Sequence, residues 1–214
     1  MGAFCIMFFL VAQGRGRYVQ CEDLLMDPLG KLFGSPARVK LIRLFLFNDD
    51  AAFTVEDAAF RTKTSKPAAR KEIAQLAKAG VLRRRSSKSP IAYTANQRFV
   101  HYESLKAFLR TSTSISDTRI ASSFKKAGTI RLVALSGLFT GVTESKVDVV
   151  VVGDRIDDRM IGIVVRSLEA ELGRELRYAA FTTPDFRYRV GVYDRLLRDV
   201  FDYSHRVILD RIGI

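Results

Sequence analysis

The sequence predicts a mixed α/β protein of the α+β kind, on three observations. Apolar residues in the first hundred positions recur mainly at helical spacing, whereas the second half carries two β-branched runs, Ile130–Leu135 and Val147–Val152. Charge divides along the same line: residues 1–136 hold 23 basic and 10 acidic side chains, and residues 137–214 hold 12 and 13. The net +12 of this 214-residue chain therefore comes from its first part. A composition of 48% hydrophobic and 27% charged residues excludes disorder throughout and fibrous architectures.

Other classes are disfavoured by what the chain lacks. Its two cysteines, Cys5 and Cys21, stand outside any CxxC or Cys/His cluster, so neither a disulfide scaffold nor a structural zinc site is supported. The apolar run Ala3–Ala12 is too short to span a bilayer and lacks the positive flank of a signal peptide. A cytoplasmic protein with no membrane partner is the expectation.

The elements follow in order. Residues 1–26 read as an N-terminal extension, because Met26-Asp27-Pro28-Leu29-Gly30 resembles a natural start. Ser35-Pro36 opens a helix to about Phe47, with Val39, Ile42, Phe45 and Leu46 on its apolar stripe. Thr54 with Asp57 forms a capping box for a short helix to about Arg61. Ser65 caps a third helix, with Pro67 in its first turn and Gly80 past its end; Ala69, Ile73 and Leu76 face inward. Val81–Arg85 and Ile91–Thr94 then read as two strands of a hairpin with a basic tip.

Three helices followed by a basic hairpin make residues 27–100 similar to the prokaryotic winged helix-turn-helix regulators of the arsenic-repressor-like type. The resemblance rests on Leu32–Thr94 and implies binding to double-stranded DNA. Between Arg61 and Lys88 stand ten cationic side chains and one acid, Glu72. In such a module the third helix enters the major groove and the wing grips phosphates. Thr64, Ser65, Lys66 and Arg70 are placed for the groove. Lys71, Arg83, Arg84, Arg85 and Lys88 suit phosphates, which orient the protein without reading sequence.

Residues 101–116 read as a helical linker, with Leu105, Phe108 and Leu109 on one face and a Ser/Thr-rich end. A second, smaller α/β domain with a mixed sheet is expected over 117–214. Its apolar runs suit strands covered on both faces. Asp157–Leu172 is a helix with Met160, Val164, Leu168 and Leu172 every four residues, closed by Gly173. Tyr178–Thr182 is a strand, Pro184–Asp199 a helix and Arg206–Leu209 a last strand.

Leu135–Asp154, LSGLFTGVTESKVDVVVVGD, resembles the signature of the minimal nucleotidyltransferases, but in degenerate form. In that family a strand ends in Gly-Ser and a later strand carries Asp-x-Asp. Backbone amides and the serine hold nucleotide phosphates, and two carboxylates about 7 Å apart at Cα bind the divalent metal. Here the first motif reads Ser136-Gly137, reversed, and the second reads Lys146-Val147-Asp148, an ammonium in place of an acid. Glu144 lies about 13 Å from Asp148 along an extended strand and cannot substitute. The strand Tyr178–Phe181 offers no third acid.

The resemblance therefore implies a fold without metal catalysis: no catalytic residue, no metal site and no cofactor, magnesium entering only if the enzyme were active. Ser136, Gly137, Gly141, Lys146 and Asp148 form the degenerate nucleotide site, where a phosphate cradle and a plain tight turn both stay open. The expected function is transcriptional regulation, the second domain serving dimerisation or the sensing of a nucleotide or small-molecule effector. Two alternatives stay open: an active, antitoxin-like nucleotidyltransferase, and a non-catalytic module for RNA or an acidic protein. His101 and His205 read as structural or surface residues. The aromatic set Phe181, Phe186, Tyr188, Tyr193, Phe201 and Tyr203 reads as core and homodimer surface.

Overall fold

The computed structural model describes residues 28–85, 90–112, 115–141 and 145–213. The extension expected over 1–26 and the wing residue Lys88 lie outside them. The described chain is a mixed α/β structure with two sheets, one of them mixed.

Helix α1 (Pro28–Leu32) leads into α2 (Pro36–Leu46), where Ser35 accepts a hydrogen bond from the Arg38 amide. A two-residue strand β1 (Phe53–Thr54) precedes α3 (Val55–Thr62), whose capping box forms as expected: Asp57 N donates to Thr54 Oγ1 and Thr54 N to Asp57 Oδ2. Then come α4 (Lys66–Lys78), β2 (Leu82–Arg84) and β3 (Ala92–Ala95). The three strands form an antiparallel sheet in the order β1-β3-β2. The segment expected as a linker contains α5 (Tyr102–Ser112), which buries Tyr102 and Leu109 in the same core as α2 and α4.

The second half begins with α6 (Asp117–Phe124), capped by Ser116. Its sheet has the order β6-β5-β4-β7, built from β4 (Thr129–Leu135), β5 (Val149–Asp154), β6 (Tyr178–Thr182) and β7 (Arg206–Asp210). The apolar runs are the two central strands, as their lack of alternation predicts. β4 pairs antiparallel with β5 and β7, while β5 and β6 are parallel and joined through α7 (Asp158–Leu172).

The sheet separates two cores. Val133, Leu135, Val149 and Val151 meet α6 and α7; Leu132, Ala134, Val150 and Val152 meet Phe186, Leu197 and Val200. Ile130 shares a face with Val133, three residues on, because the register shifts between Ile130 and Leu132. An irregularity of this kind undoes the strict period of two.

The helix expected over Pro184–Asp199 is two helices, α8 (Thr183–Gly191) and α9 (Arg195–Phe201). Tyr193 adopts φ 55°, and the Asp194 side chain accepts from the amides of Leu196 (2.9 Å) and Leu197 (3.3 Å). An N-cap inside the apolar pattern thus restarts the helix in a new direction.

The two halves meet along α2 and α7. Asn48 Nδ2 donates to Leu44 O (2.7 Å) and Gly173 O (2.8 Å), and Arg43 Nη1 to Glu171 O. Gly173 caps α7 in the left-handed region, φ +73°. A Cβ there would lie 2.6 Å from the Arg43 carbonyl carbon, so only glycine permits this approach.

Candidate functional site

The basic face is built on α4. Ser65 caps it by accepting from Ala68 N, and Pro67 sits in the first turn, where its missing N–H costs nothing. Ala69, Ile73 and Leu76 are buried, which turns Lys66, Arg70, Lys71 and Lys78 to solvent. Glu72, the one acid in the segment, is also buried and accepts from Arg38 Nε at 2.7 Å. Its charge is neutralised inside the fold, not on the exposed face.

Strand β2 contacts α4 and is an edge strand of its sheet, with Arg83, Arg84 and Arg85 exposed. Arg85 also donates to Asp50 O, and Lys66 pairs with Glu56. Among the described residues no carboxylate comes within ion-pair distance of Arg70, Lys71, Lys78, Arg83 or Arg85. Thr64 is half-buried, its hydroxyl 2.9 Å from that of Thr62. Two cations of the run point elsewhere: Arg61 pairs with Glu175 at 2.7 Å, and Lys63 donates to Ser167 Oγ at 2.6 Å. Nothing in the local pattern separates these two from their neighbours.

The second constellation lies where β4 ends. Ser136 leads into a 3₁₀ turn, Gly137–Phe139, and Asp148 immediately precedes β5. The Asp148 carboxylate is buried and fully engaged. Oδ1 accepts from Leu138 N (2.9 Å) and Arg177 Nη2 (3.3 Å); Oδ2 accepts from Arg177 N (2.8 Å) and Arg177 Nε (3.2 Å). A carboxylate has about four lone-pair sites, and four donors occupy them.

The other members of this set lie around the turn without converging on an open position. Lys146 Nζ stands 3.4 Å from Asp199 Oδ2. The hydroxyls of Ser136 and Ser145 are 3.3 Å apart, and Ser145 donates to Val147 O. Gly141 takes φ +78° with open space beside it. Among the described residues, no three His, Cys, Asp or Glu side chains gather as a metal would require.

His101 stacks edge-on against Phe99, and the His205 ring meets Phe201. Phe186 is buried, with Phe181 and Phe201 packed beside it, while Tyr188, Tyr193 and Tyr203 are exposed. No helix among the described residues is long and apolar enough to cross a membrane. No protein-family model matches the chain, and the searches of curated proteins and of solved structures return no match.

Proposed function

We propose that the protein is a DNA-binding transcriptional regulator, with residues 27–100 as a winged helix-turn-helix and 117–214 as a nucleotidyltransferase-like domain that has lost metal catalysis. The observation that carries the first half is the strip of exposed cations running from α4 onto β2, Arg70, Lys71, Lys78, Arg83 and Arg85 among them. With Glu72 buried against Arg38, that strip offers a polyanion several cations and no exposed acid on the same helix. Phosphate neutralisation by such side chains dominates affinity for duplex DNA and releases counterions.

What supports the second half is the state of Asp148. A carboxylate saturated by two backbone amides and a guanidinium has no lone pair to offer a divalent cation. On this reading its role is architectural. Tyr188, Tyr193 and Tyr203 offer exposed aromatic surface for a second copy of the chain.

A mobility shift on duplex DNA at graded salt tests the proposal. Binding at low salt that weakens steeply as salt rises is expected, and no binding at low salt removes the DNA role. Metal-dependent nucleotide transfer abolished by Asp148→Asn would restore the enzyme reading.

A further inference from the structure

A cleft of about 770 Å³ separates α3 and the turn that follows it from the C-terminal half of α7. A second cavity of about 240 Å³ shares two of its lining residues, Lys63 and Ala170. Lys63 stands at φ 51°, ψ 40°, a left-handed conformation that strains any residue with a Cβ. Its side chain reaches across to α7, with Nζ bonded to Ser167 Oγ.

The charges around it are unbalanced. Arg61 is met by Glu175, and Arg177 by Asp148. Of the remaining acids in the cleft, Asp57 serves the α3 capping box and Glu169 accepts from Leu176 N. Among the described residues, no carboxylate lies within ion-pair distance of Lys63, Arg166 or Arg174. Burial, with the like charges of Arg166 and Lys40 and against the opposing pull of the Glu169 carboxylate, holds the Lys63 pKa below its ordinary value. Five cations (Arg61, Lys63, Arg166, Arg174 and Arg177) against three carboxylates (Asp57, Glu169 and Glu175) line the cleft, and such an excess of like charge favours entry of an anion.

The cleft has the volume of a small-molecule site. Its lining adds Phe60, 78% exposed, as an aromatic face, and Leu44 and Leu176 as apolar surface. We propose that this cleft binds a phosphate-bearing small molecule of nucleotide size, its phosphates held by Lys63 and Arg166. The cleft adjoins the Ser136–Asp148 turn through Arg177, which lines the cleft and bonds Asp148, and the proposal does not depend on whether the protein binds DNA.

Isothermal titration of the full chain with ATP, inorganic pyrophosphate and adenosine, all in EDTA, tests it. ATP and pyrophosphate should bind and adenosine should not. Lys63→Gln and Arg166→Gln should each weaken ATP binding about tenfold or more, the scale of a single charge-assisted hydrogen bond. Lys126→Gln, an exposed control away from the cleft, should leave it unchanged. Arg166 is exposed on α7, so its variant keeps the fold even if the Lys63 variant does not. No binding of ATP or pyrophosphate at millimolar concentration, or binding that persists in Arg166→Gln, overturns the proposal.

Discussion

Gly137 has no side chain because the carboxylate of Asp148 fills the space where one would begin. The glycine sits at φ +50°, and a Cβ built there would overlap Asp148 Oδ1. The same turn then donates Leu138 N to that oxygen. The glycine and the acid are therefore one device, an aspartate seated in an amide-lined turn and locked from outside by Arg177.

Asp148→Ala should destabilise the protein by about 2–4 kcal/mol, because it leaves two inward-facing amides unsatisfied. Arg177 contributes less to that figure than the amides, since its side chain is 54% exposed and its charge is screened. Gly137→Ala should cost roughly 1–3 kcal/mol through strain and displacement of the acid. Urea unfolding of both variants measures the losses, and a change under about 0.5 kcal/mol in either would contradict the coupling.

Along the basic strip, position should separate two kinds of effect. Lys66→Ala and Arg70→Ala should lower discrimination between DNA sites more than total affinity. Alanine at Arg83, Arg84 and Arg85 should weaken every sequence alike. The slope of log K against log salt should then shrink by about 0.9 for each phosphate that is no longer neutralised. Quantitative mobility shifts at several salt concentrations read both quantities.

The seam between the halves should be sensitive at one glycine. Gly173→Ala puts a Cβ 2.6–2.7 Å from the backbone of Arg43 and Leu44 at a positive φ. A loss of roughly 2–4 kcal/mol is expected, with the unfolding transition no longer a single step. Asn48→Ala removes two hydrogen bonds at the same seam and should cost about 1–2 kcal/mol. Calorimetry checks both.

Lys63 gives the seam a dependence on pH. Between its lowered folded pKa and the ordinary value of 10.5, the unfolded chain binds more protons than the folded one. Stability therefore rises with pH across that window, and Lys63→Gln should abolish the rise. Arg166→Gln should move the Lys63 titration upward, because it removes a like charge. NMR detection of the Lys63 Cε resonance follows the midpoint directly.

Caps and stripes make most elements legible in the sequence. Ser35, Thr54 with Asp57, Ser65 and Gly173 mark the helix ends that their residue types predict, because capping is a local hydrogen-bond pattern. The break at Tyr193 is hidden, since Asp194 lies within an otherwise continuous apolar repeat. Of the basic residues, the outward set on α4 follows from its narrow inward stripe. The diversion of Arg61 to the loop after α7 and of Lys63 to α7 does not, because their partners stand 114 and 104 residues away. Arg177 is hidden for the same reason: its carboxylate lies 29 residues earlier, in another element. Pairings that depend on tertiary approach leave no periodic trace.

Helix α2 buries seven of its eleven residues, including Leu41 and Leu44 beside the expected Val39, Ile42, Phe45 and Leu46. A helix apolar on so much of its circumference needs cover on more than one side, and α7 supplies the second. The amino-terminal module consequently cannot be studied as an excised piece. A fragment ending at Ser112 would lay bare the part of α2 that α7 shields, and it should self-associate through that bared face.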